Sequence, residues 1–253
     1  MDSMDNGKKE LIRKIGFDKY FKSEDWSDCN RAFFDNLAEK YDATNVMHSF
    51  GLKRYFDRKA LAGLKFPVDG KLLDLCCGSG DLSEQFARKY PAAEITGLDY
   101  SSEMLKVFSR RTARFKNVSH LQGSCYELPF ADGTFDAVVI GYGLRNLEFP
   151  LKGLKEIHRV LKPGGGIGCV DLGKPTNPLF KPIYNFHFYF LAPILGKLIF
   201  HRNEFNSFRY LPVSNKYFPP PARLKELFAE AGFRNIRTGN YWIGAILGIL
   251  AEK

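Results

Sequence analysis

The sequence predicts an α/β domain with a mostly parallel sheet, on two observations. From Lys71 to Leu172, strand-like and helix-like segments alternate, which calls for right-handed crossovers between parallel strands. Within that stretch one strand runs into a glycine turn that opens a helix, and a carboxylate closes the next strand, an arrangement that binds ligands at the carboxyl edge of such sheets.

The elements follow in order. Residues 1–30 read as a leader, and Met1 to Gly16 are polar and charged, without the apolar stretch of a secretory signal. The domain then spans 31–253. Between Arg31 and Leu64, Phe33, Phe34, Leu37 and Tyr41 recur at helical spacing and predict a helical N-terminal extension. Pro67-Val68-Asp69-Gly70 is a turn signal. Lys71–Cys76, Glu94–Leu98, Val118–Gln122 and Phe135–Gly141 read as strands, and Asp81–Tyr90 and Ser102–Arg111 as helices. Leu151–Leu161 reads as a helix with Leu154, Ile157 and Leu161 on one face. Lys162-Pro163-Gly164-Gly165-Gly166 is expected to stop it before a strand at Ile167–Leu172. The stretch from 174 to 221 breaks the rhythm; rich in aromatics and proline, and too long for a structureless loop, it predicts a helical lid insertion. Arg223–Ala231 is a helix closed by Gly232, and Phe233–Thr238 with Tyr241–Leu250 reads as a terminal hairpin.

The bulk numbers agree with one decorated α/β domain. The 253 residues are 45% hydrophobic and 26% charged, values of a globular protein with a sizeable core. A formal charge of +9 favours anionic partners, nucleic acid or lipid headgroups. No RNA-binding module accompanies that charge, so nucleic acid is not expected. The five cysteines form no C-x-x-C pair, so no metal site is expected, and their odd number fits a reducing, cytoplasmic setting.

The segment Leu72 to Leu82 carries the chemistry. Gly78 and Gly80 let the backbone approach a ligand closely, and the helix after them offers free N–H groups. Asp99, at the end of the next strand, is placed to accept two ribose hydroxyls. An NAD site shares these features, but its third glycine is missing, since Ser83 stands there. Asp74 and Asp81 bracket the turn; they repel a pyrophosphate and suit a ligand bearing a sulfonium and an ammonium. For Asp81 a first-turn carboxylate stabilised by the helix dipole explains the residue equally well.

Further motifs occur in one order: Leu128-Pro129-Phe130, Phe135-Asp136, Gly143-Leu144-Arg145-Asn146 and Arg159 to Gly165. Upstream stand Phe34-Asp35, Ala38, Tyr41-Asp42, Asn45 and Arg54, and downstream Phe208-Arg209-Tyr210-Leu211 and Ala231-Gly232-Phe233. With Asp74 to Leu82, this set resembles the UbiE/MenG family, the C-methyltransferases of ubiquinone and menaquinone biosynthesis, over roughly Phe33 to Lys253. The resemblance implies a Rossmann-like class I methyltransferase whose seven-stranded sheet is mostly parallel with the last strand antiparallel. It implies S-adenosylmethionine as methyl donor and a prenylated quinol as acceptor, a demethylmenaquinol type in preference to a ubiquinone precursor. Cofactor contacts are then expected from Asp74, Gly78, Ser79, Gly80, Asp99, Ser124, Cys125 and Gly141. This sequence has Ser79 where the family usually has Thr, Ser124-Cys125 where it shows Asn or Asp followed by Ala, and Gly141 where Ser is common. Ser124 still accepts from an adenine amino group, less well than a carboxylate.

Ring methylation needs a carbon nucleophile, formed as a phenolic proton leaves, and a nearby cation lowers the phenol pKa from about 10. Arg145, after the fourth strand, is the first candidate, against a surface arginine paired with Glu148. Asn146 and Tyr41 complete the expected catalytic set. The lone histidines His48, His158 and His187 are more often structural; His187, in the insertion, is the best candidate base among them. Ile183 to Phe200 approaches the length of a membrane span, but Asn185, His187, Pro193 and Lys197 interrupt it. An amphipathic lid in reversible contact with an anionic membrane surface, peripheral at the inner face, is the better reading. Rival readings are a methyltransferase of another acceptor, such as a small phenol or an RNA base, a different reaction on a quinone with the same cofactor, and a non-catalytic cofactor-binding subunit.

Overall fold

The computed structural model describes residues 26–191, 193–194 and 202–253. Its centre is a seven-stranded sheet: β1 (Lys71–Leu75), β2 (Glu94–Asp99), β3 (Val118–Gln122), β4 (Phe135–Gly141), β5 (Leu161–Leu172), β6 (Arg234–Tyr241) and β7 (Ile246–Glu252), in the order β3-β2-β1-β4-β5-β7-β6. The first five strands are parallel, with Leu72 facing both Ile95 and Ala137. β7 enters antiparallel to both neighbours. The chain order reverses between β1 and β4, so their carboxyl ends form the switch point where such sheets bind ligands.

The apolar runs explain the layering. A parallel strand covered on both faces reads as a continuous hydrophobic stretch, and Leu72, Leu73 and Leu75 are all fully buried. Leu73 and Leu75 pack with Val138 and Ile140 against Leu154 and Ile157 of α6 (Pro150–Val160) and Leu227 and Phe228 of α9 (Pro221–Glu230). Leu72 and Val139 face the opposite layer, where Phe56 and Ala60 of α3 (Lys53–Leu61) meet Leu82 and Ala87 of α4 (Asp81–Lys89). α5 (Ser102–Thr112) adds Phe108 beside Cys77.

The N-terminal extension caps the carboxyl edge of the sheet. α1 (Trp26–Leu37) packs Trp26, Phe33 and Leu37 against Tyr210 and Val213 of α8 (Arg202–Tyr217), and α2 (Tyr41–Ser49) follows it. Residues 26–30, assigned to the leader from the sequence, are therefore the first turn of α1, because Trp26 and Cys29 are buried there. Residues 1–25 lie outside the described part. The insertion is mostly helical where described: after a non-helical stretch at 174–179 come α7 (Phe180–Phe186), a π turn (His187–Leu191) and α8. Of the sequence window Ile183 to Phe200, residues 192 and 195–200 lie outside the described part.

One boundary differs from expectation. The helix α6 does end at Val160, but β5 starts at once with Leu161 pairing Phe135, and the register then jumps to Ala137 against Gly166. The glycine segment is a bulge inside the strand rather than a stop before it. Gly164 takes φ 77°, and a side chain at Gly165 would meet backbone oxygens at 2.9 Å.

Candidate active site

Six non-glycine residues among those described adopt left-handed backbone, and two of them directly follow strands of the parallel core: Cys76 (φ 54°), just after β1, and Tyr142 (φ 58°), just after β4. Each such residue costs about 1–3 kcal/mol, and they cluster at functional sites. Both sit at the switch point. The side chains of the Leu144-Arg145-Asn146 turn hold Tyr142 in place: Arg145 Nη1 donates to the Tyr142 carbonyl at 2.6 Å and Asn146 Nδ2 at 3.2 Å.

A cavity of about 110 Å³ opens above this edge, walled by Tyr41, Cys76, Gly78, Asp99, Ser124, Cys125, Gly141, Tyr142 and Asn146 among others. Asp99 stands at the end of β2. One of its oxygens accepts from Gly78 N at 2.8 Å and the other from Ser101 N at 2.9 Å. Each oxygen has a second lone pair for a ligand hydroxyl. Burial pushes the Asp99 carboxyl up, while the backbone N–H groups oppose the shift. Gly78 takes φ 52°, and a Cβ there would meet only the Tyr41 ring edge at 3.8 Å, so bare backbone faces the cavity.

A second, larger cavity of about 470 Å³ lies on the other side of Tyr142. Its walls come from α2, α3, the insertion and the turn at Trp242–Ile243, with Phe50, Phe180, Ile183, Phe186, Phe188 and Trp242 among the apolar lining residues. Tyr142 and the Leu144-Arg145-Asn146 turn are the partition: Tyr142 lines both cavities, Arg145 the second and Asn146 the first. The Tyr142 hydroxyl donates to Asp57 at 2.9 Å, and Lys53 Nζ lies 5.0 Å from its ring centroid. Burial and the Asp57 carboxylate push the Tyr142 phenol well above its ordinary value, so it stays neutral. Burial works against the Lys53 charge, but Asp57 and Asp81, at 2.6 and 2.8 Å, outweigh it.

The sequence-predicted residues separate into two groups. Tyr41, Gly78, Asp99, Ser124, Cys125, Gly141 and Asn146 meet around the first cavity. Asp74, Ser79 and Gly80 do not line it; they work from behind the loop. Asp74 is buried under the turn, and its Oδ2 accepts from Ser83 N and Oγ at 3.0 and 2.7 Å, so it caps α4 instead of facing solvent. Burial pushes it up to about 7. Ser79 Oγ donates to Asp42 at 2.8 Å and accepts from Arg111 at 3.0 Å, tying α2 to the loop. Gly80 (φ 82°) leaves room for Phe108, whose ring a Cβ would approach to 2.7 Å. Asp81 is neutralised by Lys53 and Arg54, which explains that carboxylate without a ligand.

Arg145 is not a surface residue paired with Glu148. It is buried, and its Nη1 meets Asp171 Oδ1 at 2.6 Å. Asn146 Oδ1 accepts from the Tyr210 hydroxyl at 2.7 Å, and its carbonyl accepts from Trp26 Nε1 at 3.0 Å, so this residue knots α1 and α8 to the partition. His158 lies away from both cavities, edge-on to Phe233. Tyr142, Lys53, Asp57 and Asp171 were missed from sequence. A bulky residue between two glycines at a strand end, Gly141-Tyr142-Gly143, was the available signal for the first.

Among the described residues, no helix is long and apolar enough to cross a membrane and no cluster of metal-ligating side chains occurs. Solved structures share the fold. A SAM-dependent methyltransferase from Aquifex aeolicus is 19% identical, covers 79% of this chain and 91% of its own, and has a TM-score of 0.57. Haemonchus contortus phosphoethanolamine N-methyltransferase 2, solved with S-adenosyl-L-methionine, is 18% identical over 78% of this chain and 52% of its own, with a TM-score of 0.55. Demethylmenaquinone methyltransferases of Staphylococcus aureus strains JH9 and Newman are each 40% identical over 221 residues, 87% of this chain and 91% of theirs. Residues 23–253 match the ubiE/COQ5 methyltransferase family. The fold, the ligand-facing edge and these matches agree: the chain belongs to that family and is an S-adenosylmethionine-dependent methyltransferase.

Proposed function

We propose that the chain methylates a ring carbon of a prenylated quinol of the demethylmenaquinol type. The observation that carries this reading is the apolar 470 Å³ cavity, which shares the Tyr142 partition with the smaller one and has room for a ring and part of an isoprenoid tail. The groups around the smaller cavity match the chemistry of the cofactor. Asp99 would take the ribose hydroxyls, Ser124 and Cys125 would face the adenine, and Gly78 and Gly141 would admit the amino-acid part against bare backbone. Asp74, Ser79 and Gly80 would shape the loop without touching the ligand. S-adenosylmethionine supplies a methyl group on a cationic sulfur.

The protein's part is positioning and electrostatics, and positioning alone is worth several kcal/mol of barrier. Arg145, on the wall of the larger cavity, favours a phenolate there, although Asp171 already balances much of its charge. Lys53 adds a second cation on the same wall. Tyr41, pushed up by burial despite Arg145 and Lys53, stays neutral and closes the cofactor side above Gly78.

A tailed substrate also suits a membrane surface. Ile183, Phe186, Phe190 and Ile194 are each more than half exposed, whereas Phe188 is buried. With the +9 charge, this face would dock reversibly on anionic lipid, weakening as salt rises. The test is mass spectrometry of products from a panel of reduced demethylated quinols of increasing tail length. Ring C-methylation with KM falling as the tail grows is the expected result, since each buried methylene gains roughly 0.8 kcal/mol. In parallel, wild type should sediment with anionic liposomes at low salt and a Phe186→Ser/Phe190→Ser variant should not. Methylation of tail-less phenols alone, with no liposome binding, would replace this reading with a different small aromatic acceptor.

A further inference from the structure

We propose that the mouth of the larger cavity is itself a docking surface for an anionic bilayer, built from three segments, so that a tailed acceptor enters the cavity directly from lipid. The inference rests on the reading that such an acceptor occupies this cavity. It adds two segments to the insertion: the turn between α2 and α3 at 50–52, and the turn between β6 and β7 at 242–244.

Residues that both line the cavity and face solvent mark its mouth. Phe50 is 63% exposed, Ile183 62%, Phe186 63% and Ile243 51%, and all four line the cavity. Together they represent all three segments. Ring contacts join those segments. Phe50 meets His187 of the π turn with centroids 5.2 Å apart and Trp242 at 6.2 Å, and Trp242 stacks on Phe56 of α3 at 5.3 Å. The rim continues outward through Val46, Leu52 and Tyr55, which are exposed and do not line the cavity. Large apolar side chains exposed side by side, rather than singly, mark a contact site.

The backbone at two of the tips supports this reading. Phe50 takes φ 50°, Trp242 φ 47° and Ile243 φ 59°. The left-handed region disfavours bulky side chains, β-branched ones most of all. Glycine or asparagine would occupy it more easily. Large apolar residues at these tips therefore oppose local stability and solubility alike, and insertion at the edge of a hydrocarbon layer gives them a use. Tryptophan suits that edge, because its ring is apolar and its N–H polar.

The charge around the mouth selects anionic lipid. Residues 43–63 carry Lys53, Arg54, Arg58 and Lys59 against a single carboxylate, Asp57, which is buried. The stretches 174–191 and 193–194 carry Lys174 and Lys181 and no carboxylate, and 242–245 has none either. Lys53 and Arg54 are paired with Asp57, Asp81 and Glu84, whereas Arg58, Lys59 and Lys181 are exposed. Lys59 Nζ lies 5.7 Å from the Tyr55 ring centroid, and that ring meets Phe56 at 5.2 Å, so a cation stands beside the apolar rim. Apolar side chains flanked by basic ones fit an anionic headgroup layer with hydrocarbon beneath it.

Tryptophan fluorescence tests the proposal, because the chain has two tryptophans and Trp26 is buried. The probes are vesicles of equimolar phosphatidylglycerol and phosphatidylcholine, with plain or brominated acyl chains. Wild-type emission should shift to the blue on plain vesicles and be quenched on brominated ones, and Trp242→Phe should lose both responses. Leu52→Asp is the docking variant. Leu52 directly precedes α3, whose N-terminal dipole favours a carboxylate, and it does not line the cavity. The variant should bind vesicles roughly tenfold more weakly, since an apolar anchor is lost and a like charge gained. Its kcat/KM should fall by the same factor with a long-tailed demethylated naphthoquinol embedded in the vesicles. With a short-tailed, water-soluble one its kcat/KM should equal that of wild type. Vesicle binding without Trp242 quenching, or undiminished binding by Leu52→Asp, overturns the three-part mouth. Equal binding to vesicles of phosphatidylcholine alone overturns the choice of anionic lipid. A dimer that shields Trp242 in the absence of lipid overturns the proposal in favour of a second copy of the chain. Insertion of Trp242 without methylation of any quinol keeps the docking surface and overturns the quinol reading.

Discussion

Two side chains decide most at the scale of single residues. Asp99 supplies charged hydrogen-bond acceptors at the end of β2 while anchoring Gly78 N. Losing charged hydrogen bonds costs about 1.5–3 kcal/mol, so Asp99→Ala should weaken cofactor binding roughly 10- to 150-fold. Calorimetry with S-adenosylhomocysteine checks this, and Asp99→Asn should fall between. Arg145 is the second. It pairs with Asp171, both nearly fully buried. Removing one partner strands the other charge at a cost of about 3–5 kcal/mol, whereas replacing both by apolar residues is often near neutral. Arg145→Ala should therefore lower both the melting temperature and turnover. An Arg145→Leu/Asp171→Leu variant should regain most of the melting temperature but not the turnover. That split separates a role in the chemistry from a role in stability alone.

At the scale of elements, the two loops after β1 and β4 line the smaller cavity, and each is held in shape by its surroundings. The glycine loop is bent by Gly80, where a Cβ would fall 2.7 Å from Phe108 Cδ2 at a backbone φ of 82°. Gly80→Ala combines overpacking with left-handed strain and should destabilise the protein by about 1–3 kcal/mol, read as a lower urea midpoint. Adding Phe108→Leu should recover the packing part and leave the backbone part. The loop after β4 depends instead on hydrogen bonds, from Arg145 and Asn146 to the Tyr142 carbonyl. The same tetrapeptide that stood out in the sequence thus builds the partition between the two cavities.

The whole molecule gathers helices from both ends of the chain over one edge of the sheet, and burial there has a pH signature. An unfolded histidine titrates near 6.5, while folded His48 is held down to about 4. Between those values the unfolded chain binds the extra proton, so stability is full above about 6.5 and falls as pH drops toward 4. The loss is on the order of 3 kcal/mol by pH 4. His187, also lowered, adds a loss of the same sign. Urea unfolding at pH 7 and pH 5 should show wild type losing more stability than His48→Gln, which does not titrate. A parallel loss in both proteins would place the acid sensitivity elsewhere.

The sequence by itself determined the sheet and the ligand-facing loop. Apolar runs such as Leu72 to Leu75 and Val138 to Ile140, glycines at Gly78 and Gly80, and the terminal hairpin are local signals, set by side-chain periodicity and backbone freedom over a few residues. Asp99 and the Gly143 to Asn146 turn were legible for the same reason, because strand ends in this topology converge on one edge. What only the tertiary structure decided lies in contacts between distant residues. Asp74 stands beside the glycine turn in the linear motif, and only the fold shows that its Oδ2 caps α4 from inside the core. Arg145 finds Asp171 at the end of a neighbouring strand, not Glu148 three residues on. Tyr142 reaches back 85 residues to Asp57. His48 and His187 share a cavity only because α2 and the insertion close over the same edge. Propensity acts along the chain, whereas charge compensation and cavity shape depend on which surfaces the packed sheet brings together.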